Sequence, residues 1–494
     1  MKYVSTRDTA ANPKEVFAAD AIKQGLAPDK GLYMPTEIPS LTKEDILSLA
    51  KLPYYGRAAA VLSRFLTDYD KDKLLSDCKE AYSETRFPGG AAPLVPIRDN
   101  LYALELWHGP TCAFKDMALQ IMPRLLSSAL AMTKETRRAH ILVATSGDTG
   151  KAALEGYRDV PGIDISVFFP VDGVSTMQKR QMITQTGSNV NVCAVRGNFD
   201  DAQNGVKEIF ADASLAQRAE ENGFFFSSAN SINWGRLAPQ IVYYISAYCD
   251  LLNSGNIRYG EKINICVPTG NFGNIFAAYI AREMGLPIGK MICASNANCV
   301  LTDFIRTGTY DRTREFYKTM SPSMDILISS NLERLLYLLG GPEVTADCME
   351  KLARDGKYTA PDAVMEKIHA VMEGYFCTEE QTAQVIRDTF ANHNYLADPH
   401  TAVAIGCVEQ YAAASGDDTK TVLASTASPY KFAKDVCTSL GHAPAGDDPE
   451  QILKTLSQIS KTEIPAPLAA TLSLPVRFET VVDAKNMADF IFAK

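Results

Sequence analysis

Short apolar runs recur along most of the chain, and each ends in a cluster of small polar residues that precedes an amphipathic stretch. Six of these runs are predicted to be strands, at residues 141–144, 165–169, 190–195, 263–267, 291–294 and 421–424. Helical stretches follow around residues 152–154, 177–183, 200–210 and 275–282. This alternation is typical of a parallel, doubly wound sheet. Because such sheets bind ligands at the carboxyl ends of their strands, the polar loops there are the candidate site.

The first 95 residues follow a different pattern. Residues 28–39 are loop-like, and helical periodicity extends over residues 41–82. The sequence F-P-G-G-A-A-P at residues 87–93 then predicts a break in regular structure. We therefore predict a mainly helical N-terminal region at residues 1–95, separate from the strand-rich remainder.

Composition narrows the function classes. The chain has 494 residues and a net charge of −9, from 49 basic and 58 acidic residues spread along it. This balance does not favour nucleic-acid binding, which needs a basic surface. No apolar run reaches the length of a spanning helix and the start of the sequence does not resemble a secretory signal, so we expect a cytoplasmic protein. The scattered cysteines and histidines lack metal-binding spacing, so no metal site is predicted.

A lysine preceded by two apolar residues lies in the segment H-G-P-T-C-A-F-K-D at residues 108–116. Lys115 follows Ala113 and Phe114 and precedes a predicted helix that continues through Leu126. Apolar surroundings disfavour the ammonium form, which makes the amine a usable nucleophile. The alternative is a solvated lysine at the start of a helix, and the segment alone favours that alternative.

Two further loops contain small residues between a predicted strand and a predicted helix. Backbone N–H groups of T-S-G-D-T-G, residues 145–150, can bind a carboxylate or a phosphate. Thr145 and Ala152 exclude a P-loop, which needs glycine and a hydroxyl residue there. The second loop, G-N-F-G-N at residues 270–274, can bind phosphate at a helix N-terminus but lacks the dinucleotide pattern. An ordinary strand-to-helix turn is the alternative for both.

An amine and two anion-binding loops at one sheet edge together indicate pyridoxal 5'-phosphate. Its carbonyl needs a lysine, and its phosphate needs a set of N–H donors. After the last predicted strand, Ser425 and Thr426 offer hydroxyls to a pyridine nitrogen. Capping of the following helix is the alternative role for these two residues.

These segments carry a resemblance to a known family. The chain resembles threonine synthase, a pyridoxal-phosphate enzyme of fold type II, and most closely its longer microbial and fungal form. The resemblance runs over nearly the whole length and rests on Y-V-S-T-R, G-L-Y-M-P, H-G-P-T-C-A-F-K-D, T-S-G-D-T-G, P-T-G-N-F-G-N and S-T-A-S-P. It implies an α/β, tryptophan synthase β-like fold with two doubly wound parallel-sheet lobes. The smaller lobe, about residues 130–235, would be inserted in a catalytic domain at residues 96–494.

The resemblance implies a role for each matching residue. Lys115 would bind the cofactor carbonyl, Asp148 would lie near the cofactor's hydroxyl group, and Thr426 would contact its pyridine nitrogen. The residues implied to contact the cofactor phosphate are Gly270, Asn271, Phe272, Gly273 and Asn274. The residues implied to bind the substrate are Ser146, Gly147 and Thr149 at its carboxylate and Asn230, Ser231 and Arg236 at its phosphate. An arginine suits a phosphate because it donates two parallel hydrogen bonds, while a surface salt bridge is the alternative for Arg236.

Four positions depart from the family pattern. Asp8 and Lys30 stand where the family commonly has glycine. Ser428 and Tyr430 replace the usual histidine and alanine that follow S-T-A, close to Thr426. None of the four changes removes a catalytic group.

The implied reaction converts O-phospho-L-homoserine and water into L-threonine and phosphate, by γ-elimination followed by β-hydration. A phospho-lyase of the same family, which releases 2-oxobutyrate and phosphate, would carry the same lysine and loops. The N-terminal region and the segment N-S-x-N-x-x-R at residues 230–236 count against a serine/threonine dehydratase or a sulfhydrylase. A non-catalytic cofactor-binding homologue is the remaining alternative. We expect no nucleic-acid or membrane partner, and we favour a monomer, with a dimer as the alternative.

Overall fold

The computed structural model describes residues 1–145, 147–171 and 174–493, and at residue 200 it describes the backbone alone. Short strands and helices form its N-terminal region. In chain order the first elements are β1 (Tyr3–Ser5), α1 (Ala18–Gln24), β2 (Tyr33–Pro35), α2 (Lys43–Ala50), α3 (Tyr54–Phe65) and α4 (Lys71–Ala81). Strands β1 and β2 pair in antiparallel orientation. Thr42 and Asp45 form a reciprocal capping box at the start of α2, which satisfies two of the free N–H groups there.

Strands and helices alternate through the next part of the chain. These elements are β3 (Leu94–Arg98), β4 (Leu101–Glu105), α5 (Asp116–Leu119), α6 (Met122–Met132), β5 (Arg138–Ala144), α7 (Asp148–Tyr157), β6 (Ile163–Pro170), α8 (Thr176–Ile183), β7 (Val190–Arg196), α9 (Phe199–Ala211), α10 (Ala213–Glu221), β8 (Phe224–Ser227) and α11 (Trp234–Asn253).

The remaining elements begin with the strand that precedes the second anion-binding loop. They are β9 (Ile263–Pro268), α12 (Gly273–Glu283), β10 (Ile288–Ser295), α13 (Val300–Thr307), β11 (Thr309–Asp311), α14 (Leu332–Asp355), β12 (Lys357–Thr359), α15 (Asp362–Val371), β13 (Met372–Phe376), α16 (Glu379–His393), α17 (Pro399–Ser415), β14 (Thr421–Ser425), α18 (Ala433–Ser439), α19 (Pro449–Ser460), α20 (Ala466–Ser473), β15 (Val481–Asp483) and α21 (Met487–Phe492). Short 3-10 helices lie at Pro322–Met324, Pro429–Phe432 and Ala484–Asn486.

The larger sheet has the strand order β13-β10-β9-β14-β4-β3. Its strands are parallel except for β3, which pairs with β4 in antiparallel orientation. All residues of β9 and β14 are buried, as expected for central strands that helices cover on both faces.

The smaller sheet has the strand order β15-β7-β6-β5-β8 and is parallel throughout. Strand β15 comes from the end of the chain, and α21 packs near it: Phe490 meets Phe168 edge to face at 5.8 Å between ring centroids. The C-terminal segment thus completes the lobe that is otherwise formed by residues 138–227.

The predicted fold class is confirmed by this architecture. All six strands predicted from apolar runs are present, as β5, β6, β7, β9, β10 and β14. Strands β3, β4, β8, β13 and β15 were not predicted from the pattern, because they are short, partly exposed or adjoin a break. The predicted domain boundary at residue 95 stays a prediction.

The N-terminal region packs against α11, a 20-residue helix that is buried along nearly its whole length. The ring of Tyr3 meets that of Trp234 edge to face at 5.6 Å, and its hydroxyl donates to the Phe65 carbonyl at 3.0 Å. In the described part of the chain, no helix is long and apolar enough to cross a membrane. The carboxyl ends of β4, β14 and β9, and of β5 in the smaller sheet, carry the four loops singled out above.

Candidate active site

The Lys115 amine is buried in the loop between β4 and α5. Its Nζ atom donates to Ser323 Oγ at 3.4 Å, lies 3.8 Å from Asp148 Oδ2, and lies 4.7 Å from the centre of the Phe114 ring. The Phe114 N–H donates to the Thr426 carbonyl at 2.8 Å, which ties this loop to the end of β14. Burial lowers the pKa of the Lys115 amine to about 8, so roughly a tenth of it is the free amine at pH 7 and the ammonium form prevails.

Asp148, the first residue of α7, forms a buried ion pair that the sequence did not predict. Lys431 Nζ lies 2.7 Å from Asp148 Oδ1 and donates to the Thr111 carbonyl at 2.9 Å, while Gln178 Nε2 donates to the same carboxylate at 2.9 Å. Burial alone would raise the pKa of Asp148, but the charges of Lys431 and Lys115 hold that pKa well below its usual value. The ion pair connects the two lobes. Lys431 lies five residues after Thr426, and no local pattern distinguishes it from a surface lysine.

The loop at residues 270–274 follows β9 and leads into α12, as predicted. Within the described residues, no acceptor takes up the N–H groups of residues 271–274. Phe272 adopts a left-handed conformation (φ 63°), which turns the chain into the helix. A Cβ at Gly270 would lie 2.5 Å from the Ser323 carbonyl oxygen, so the close approach of these two backbones requires glycine.

Among the described residues, the side-chain amide of Asn274 has hydrogen-bond partners for its oxygen but not for its nitrogen. Its Oδ1 atom accepts hydrogen bonds from Tyr243 and Tyr244, both at 2.5 Å. Its Nδ2 atom is buried and has no partner among the described residues. A buried amide without an acceptor indicates a place for a ligand oxygen.

Of the two hydroxyls at the end of β14, the Ser425 hydroxyl is already used within the protein. Trp107 Nε1 donates to Ser425 Oγ at 3.0 Å, and Thr401 Oγ1 lies 3.1 Å from it. Because the single Thr401 hydroxyl proton is donated to the Asp398 carboxylate, Ser425 is the donor to Thr401. The adjacent Thr426 hydroxyl is therefore the better candidate for a ring nitrogen.

Arg236 lies in the first turn of α11 and is 3% exposed. Its Nη1 atom donates to the Ala229 carbonyl at 2.5 Å, and its Nε atom has no partner among the described residues. Burial lowers the pKa of Arg236 to about 10, and its charge acts on Lys115. The alternative of a surface salt bridge is wrong, because the side chain is buried and forms no ion pair within the described part of the chain.

Asn230 and Ser231 form the loop before α11 and are both half-buried. The Asn230 backbone accepts from Asn233 N at 3.1 Å, and its N–H donates to Ser228 Oγ at 3.2 Å. These bonds hold the loop close to the start of the helix that carries Arg236.

The first anion-binding loop leads from β5 into α7. Thr145 Oγ1 accepts from the N–H groups of Gly147 and Gly150, both at 2.9 Å. Gly147 has φ 138°, and a Cβ there would meet the Gln178 side chain at 2.4 Å. Thr149 is half-buried in the first turn of α7, and Ser146 lies outside the described residues.

The assembled residues fit the predicted cofactor. Ser323 contacts Lys115 through its hydroxyl and Gly270 through its carbonyl oxygen, so the lysine and the loop at residues 270–274 are neighbours. The lysine amine, whose pKa is lowered, suits an aldehyde. Among the described residues, the N–H groups at the start of α12 and the Asn274 amide lack acceptors, which suits a phosphate, and the Thr426 hydroxyl suits a pyridine nitrogen. Among the described residues, no cluster of three or more metal-ligating side chains is present.

Family profiles match almost the entire chain. The profile described as pyridoxal-phosphate dependent enzyme matches residues 86–426. Profiles for the threonine synthase N terminus and C-terminal region match residues 2–82 and 401–491. The threonine synthase of Pseudomonas aeruginosa is 38% identical over 452 residues, which cover 90% of this chain and 92% of that one. The chain belongs to the threonine synthase family. Its cofactor is therefore pyridoxal phosphate, as predicted.

Other members of the threonine synthase family extend the comparison. The pyridoxal-phosphate-bound threonine synthase of Brucella melitensis has 36% identity and a TM-score of 0.87, covering 99% of this chain and 98% of that one. Human threonine synthase-like 1 is 40% identical over 455 residues, which cover 89% of this chain. The chain spans about 60% of the length of that relative.

The departures from the threonine synthase pattern have structural consequences. Lys30 adopts a left-handed conformation (φ 68°), which explains why glycine is common there. Ser428 Oγ accepts from Tyr430 N at 3.3 Å and caps the short helix that carries Lys431. The Tyr430 hydroxyl donates to the Thr462 carbonyl at 2.8 Å, so its proton is used within the protein.

Proposed function

We propose that this protein converts O-phospho-L-homoserine and water into L-threonine and phosphate. Overall, Cγ loses phosphate and gains a proton, while Cβ loses a proton and gains the hydroxyl group of water, whose other proton goes to the released phosphate. When bound, pyridoxal phosphate supplies an electron sink for the substrate carbons. The protein's residues then have to bind the two anionic groups of the substrate and move protons at Cα, Cβ and Cγ.

The observation that carries the proposal is the buried Arg236. A guanidinium that is 3% exposed, and whose Nε atom has no partner among the described residues, needs an anion to compensate its charge. The charge of Arg236 lowers the pKa of Lys115, which supports placing that anion in the same site as the amine. A phosphate ester satisfies both conditions, and Asn230 and Ser231 are placed to add neutral hydrogen bonds.

Lys115 is assigned the proton transfers. Its Nζ atom first accepts the proton from the substrate Cα, a task that requires the free amine. Burial gives it a pKa of about 8, so both the protonated and the neutral form are accessible at working pH. The same amine returns a proton at Cα after water has added at Cβ. The ionised Asp148 stabilises the ammonium form between these transfers.

The loop after β5 is assigned to the substrate carboxylate. Ser146, Gly147 and Thr149 precede or begin α7, where N–H groups and the helix dipole favour an anion. The cofactor phosphate is assigned to the loop at residues 270–274, and the pyridine nitrogen to Thr426. We also propose residues 1–95 as the N-terminal domain and residues 96–494 as the catalytic domain.

The decisive experiment measures three products from one incubation. The purified protein is mixed with O-phospho-L-homoserine, and phosphate, threonine and 2-oxobutyrate are quantified together. We expect equal amounts of phosphate and threonine. Equal amounts of phosphate and 2-oxobutyrate would identify a phospho-lyase instead, and no phosphate release would indicate a non-catalytic homologue.

Two lysine substitutions test the role of Lys115, one at the site and one at an exposed control position. Lys115→Ala should abolish product formation and the visible absorption of the bound cofactor. Lys454→Ala removes an exposed lysine of α19 and should change neither. Threonine formation by the Lys115→Ala protein would contradict the assigned role.

A further inference from the structure

Ser323 occupies a position beside the reacting amine that the proposed reaction has not used. Its Oγ atom lies 3.4 Å from Lys115 Nζ and 3.5 Å from Asp148 Oδ2. A hydroxyl can accept from an ammonium group and donate to a carboxylate at the same time. It therefore bridges the two charged groups, whose direct separation is 3.8 Å.

The turn that carries Ser323 is held by a buried histidine. The Ser323 N–H donates to His400 Nε2 at 3.2 Å, so this ring nitrogen carries no proton. The other ring nitrogen, Nδ1, then carries the proton and donates it to Asp398 Oδ1 at 2.7 Å. Both side chains are almost completely buried, and the His400 ring packs edge to face on Phe432 at 4.9 Å.

Asp398 is in turn fixed by its own neighbours. It caps α17 by accepting from the N–H groups of His400 and Thr401, at 2.9 and 3.3 Å. The Thr401 hydroxyl also donates to it. At the other end of the turn, Asp325 accepts from Asn296 Nδ2 at 2.8 Å. The turn at Pro322–Met324 is thus anchored on both sides, and Ser323 has little freedom to move.

We propose that Ser323 is a further catalytic residue, whose hydroxyl orients the Lys115 amine during turnover, and that Asp398 and His400 are positioning residues that fix its turn. Misplacement of a reacting group by about 1 Å can cost about 100-fold in rate, which gives rigid support a catalytic value. The proposal rests on the proposed reaction, since turnover is its main readout.

The charges and hydrogen bonds around Lys115 predict the direction in which its titration changes when Ser323 is replaced. The charged groups that act on Lys115 are Asp148, Lys431, Arg236 and Asp116. The Ser323 hydroxyl adds a hydrogen bond that favours the protonated nitrogen. Removal of the hydroxyl should therefore make that nitrogen lose its proton at a lower pH.

The test compares Ser323→Ala with Ser323→Thr, which keeps the hydroxyl, and with Ser254→Ala at an exposed helix end. We expect Ser323→Ala to lower kcat by about 10- to 100-fold with KM nearly unchanged. The acidic limb of its kcat profile should move to lower pH. Ser323→Thr should recover most of the rate, and Ser254→Ala should match the unmodified protein.

A double variant separates positioning from a general loss of structure. His400→Leu should lower kcat, while His400→Gln, which can still accept from Ser323 N–H, should recover part of it. If His400 acts through Ser323, His400→Leu should reduce kcat little further in the Ser323→Ala background. Effects that multiply would refute the positioning role.

A spectroscopic titration keeps the outcome independent of the substrate. The visible absorption of the cofactor bound to Lys115 is followed against pH in the holoenzyme. We expect a lower midpoint for Ser323→Ala than for Ser254→Ala, and equal midpoints would overturn the inference. If the unmodified protein releases no phosphate, the proposed reaction is wrong and this midpoint alone decides the role of Ser323.

Discussion

Replacement of Lys431 by methionine tests the buried ion pair that joins the two lobes. Lys431 and Asp148 are 0% and 3% exposed and lie 2.7 Å apart, so methionine leaves a buried carboxylate without its main partner. Loss of one member of such a pair costs about 3–5 kcal/mol. Gln178 Nε2 at 2.9 Å and Lys115 Nζ at 3.8 Å still contact the carboxylate, which places the expected loss near the lower figure, about 3 kcal/mol.

The same substitution has an electrostatic consequence at the reacting amine. The charge of Lys431 lowers the pKa of Lys115, in addition to the larger effect of burial. Without that charge, the pKa of Lys115 rises, and the free amine is lost at a higher pH as the solution is acidified. The acidic limb of the kcat profile should therefore move to higher pH, opposite to the direction expected for Ser323→Ala.

The assay is urea unfolding of the holoenzyme, followed by far-ultraviolet circular dichroism and compared at a common slope. Lys434→Met is the matched control, since Lys434 pairs with Asp447 at 2.5 Å on the exposed surface. We expect no measurable change for this control, because exposed pairs contribute little. Equal midpoints for Lys431→Met and Lys434→Met would refute the reasoning. The double variant Lys431→Met with Asp148→Asn should be more stable than Lys431→Met alone, because a buried neutral amide does not need a positive partner. Equal stability of these two proteins would also refute the reasoning.

Three further predictions follow from the site. Gly270→Ala should weaken cofactor binding at least tenfold in an equilibrium titration, since the added Cβ would lie 2.5 Å from a backbone oxygen. The control is Gly446→Ala, whose added Cβ would meet nothing within 4 Å and should leave the affinity unchanged. Equal affinities for the two variants would contradict the close approach at Gly270. Arg236→Met should raise KM for O-phospho-L-homoserine by about 10- to 100-fold, the loss expected for hydrogen bonds to a charged group, and leave inhibition by L-homoserine unchanged. An unchanged KM would remove this residue from the phosphate site. Iodoacetamide should label the half-buried Cys299 before Cys112, because burial raises the pKa of the Cys112 thiol to about 12. The order of labelling is read by peptide mass spectrometry of the folded protein. Labelling of Cys112 first would contradict its burial.

Much of the site could be predicted because the chemistry is local in sequence. The apolar run of β9 and the small residues after it predict both a strand and the anion-binding loop, since both depend on neighbouring residues. Lys115 could be singled out because the apolar pair before it, with the two loops, indicates one cofactor. The roles of Asn230 and Ser231, by contrast, depend on the family resemblance, and the structure supplies the packing around them.

The residues that sequence reasoning missed share a different property. Lys431 pairs with Asp148 across 283 positions, and Ser323 contacts Lys115 across 208. Asp398 and His400 are close in sequence, but their target, the N–H of Ser323, is 77 residues from His400. Lysine, serine and histidine at such positions have the composition of ordinary surface or capping residues, so no pattern separates them.

The sequence by itself determined the alternating α/β architecture, the strands of both sheets that are continuous apolar runs, and the loops that carry the candidate lysine and the two candidate anion sites. These follow from hydrophobic periodicity and from backbone geometry, which act over a few residues. The tertiary structure decided which charges meet. Distant segments bury Lys115 and Arg236, which lowers both of their pKa values, and bring Lys431 to Asp148, which keeps that carboxylate ionised. It also decided that β15 completes the smaller sheet, because a three-residue strand acquires its stability from the partner beside it.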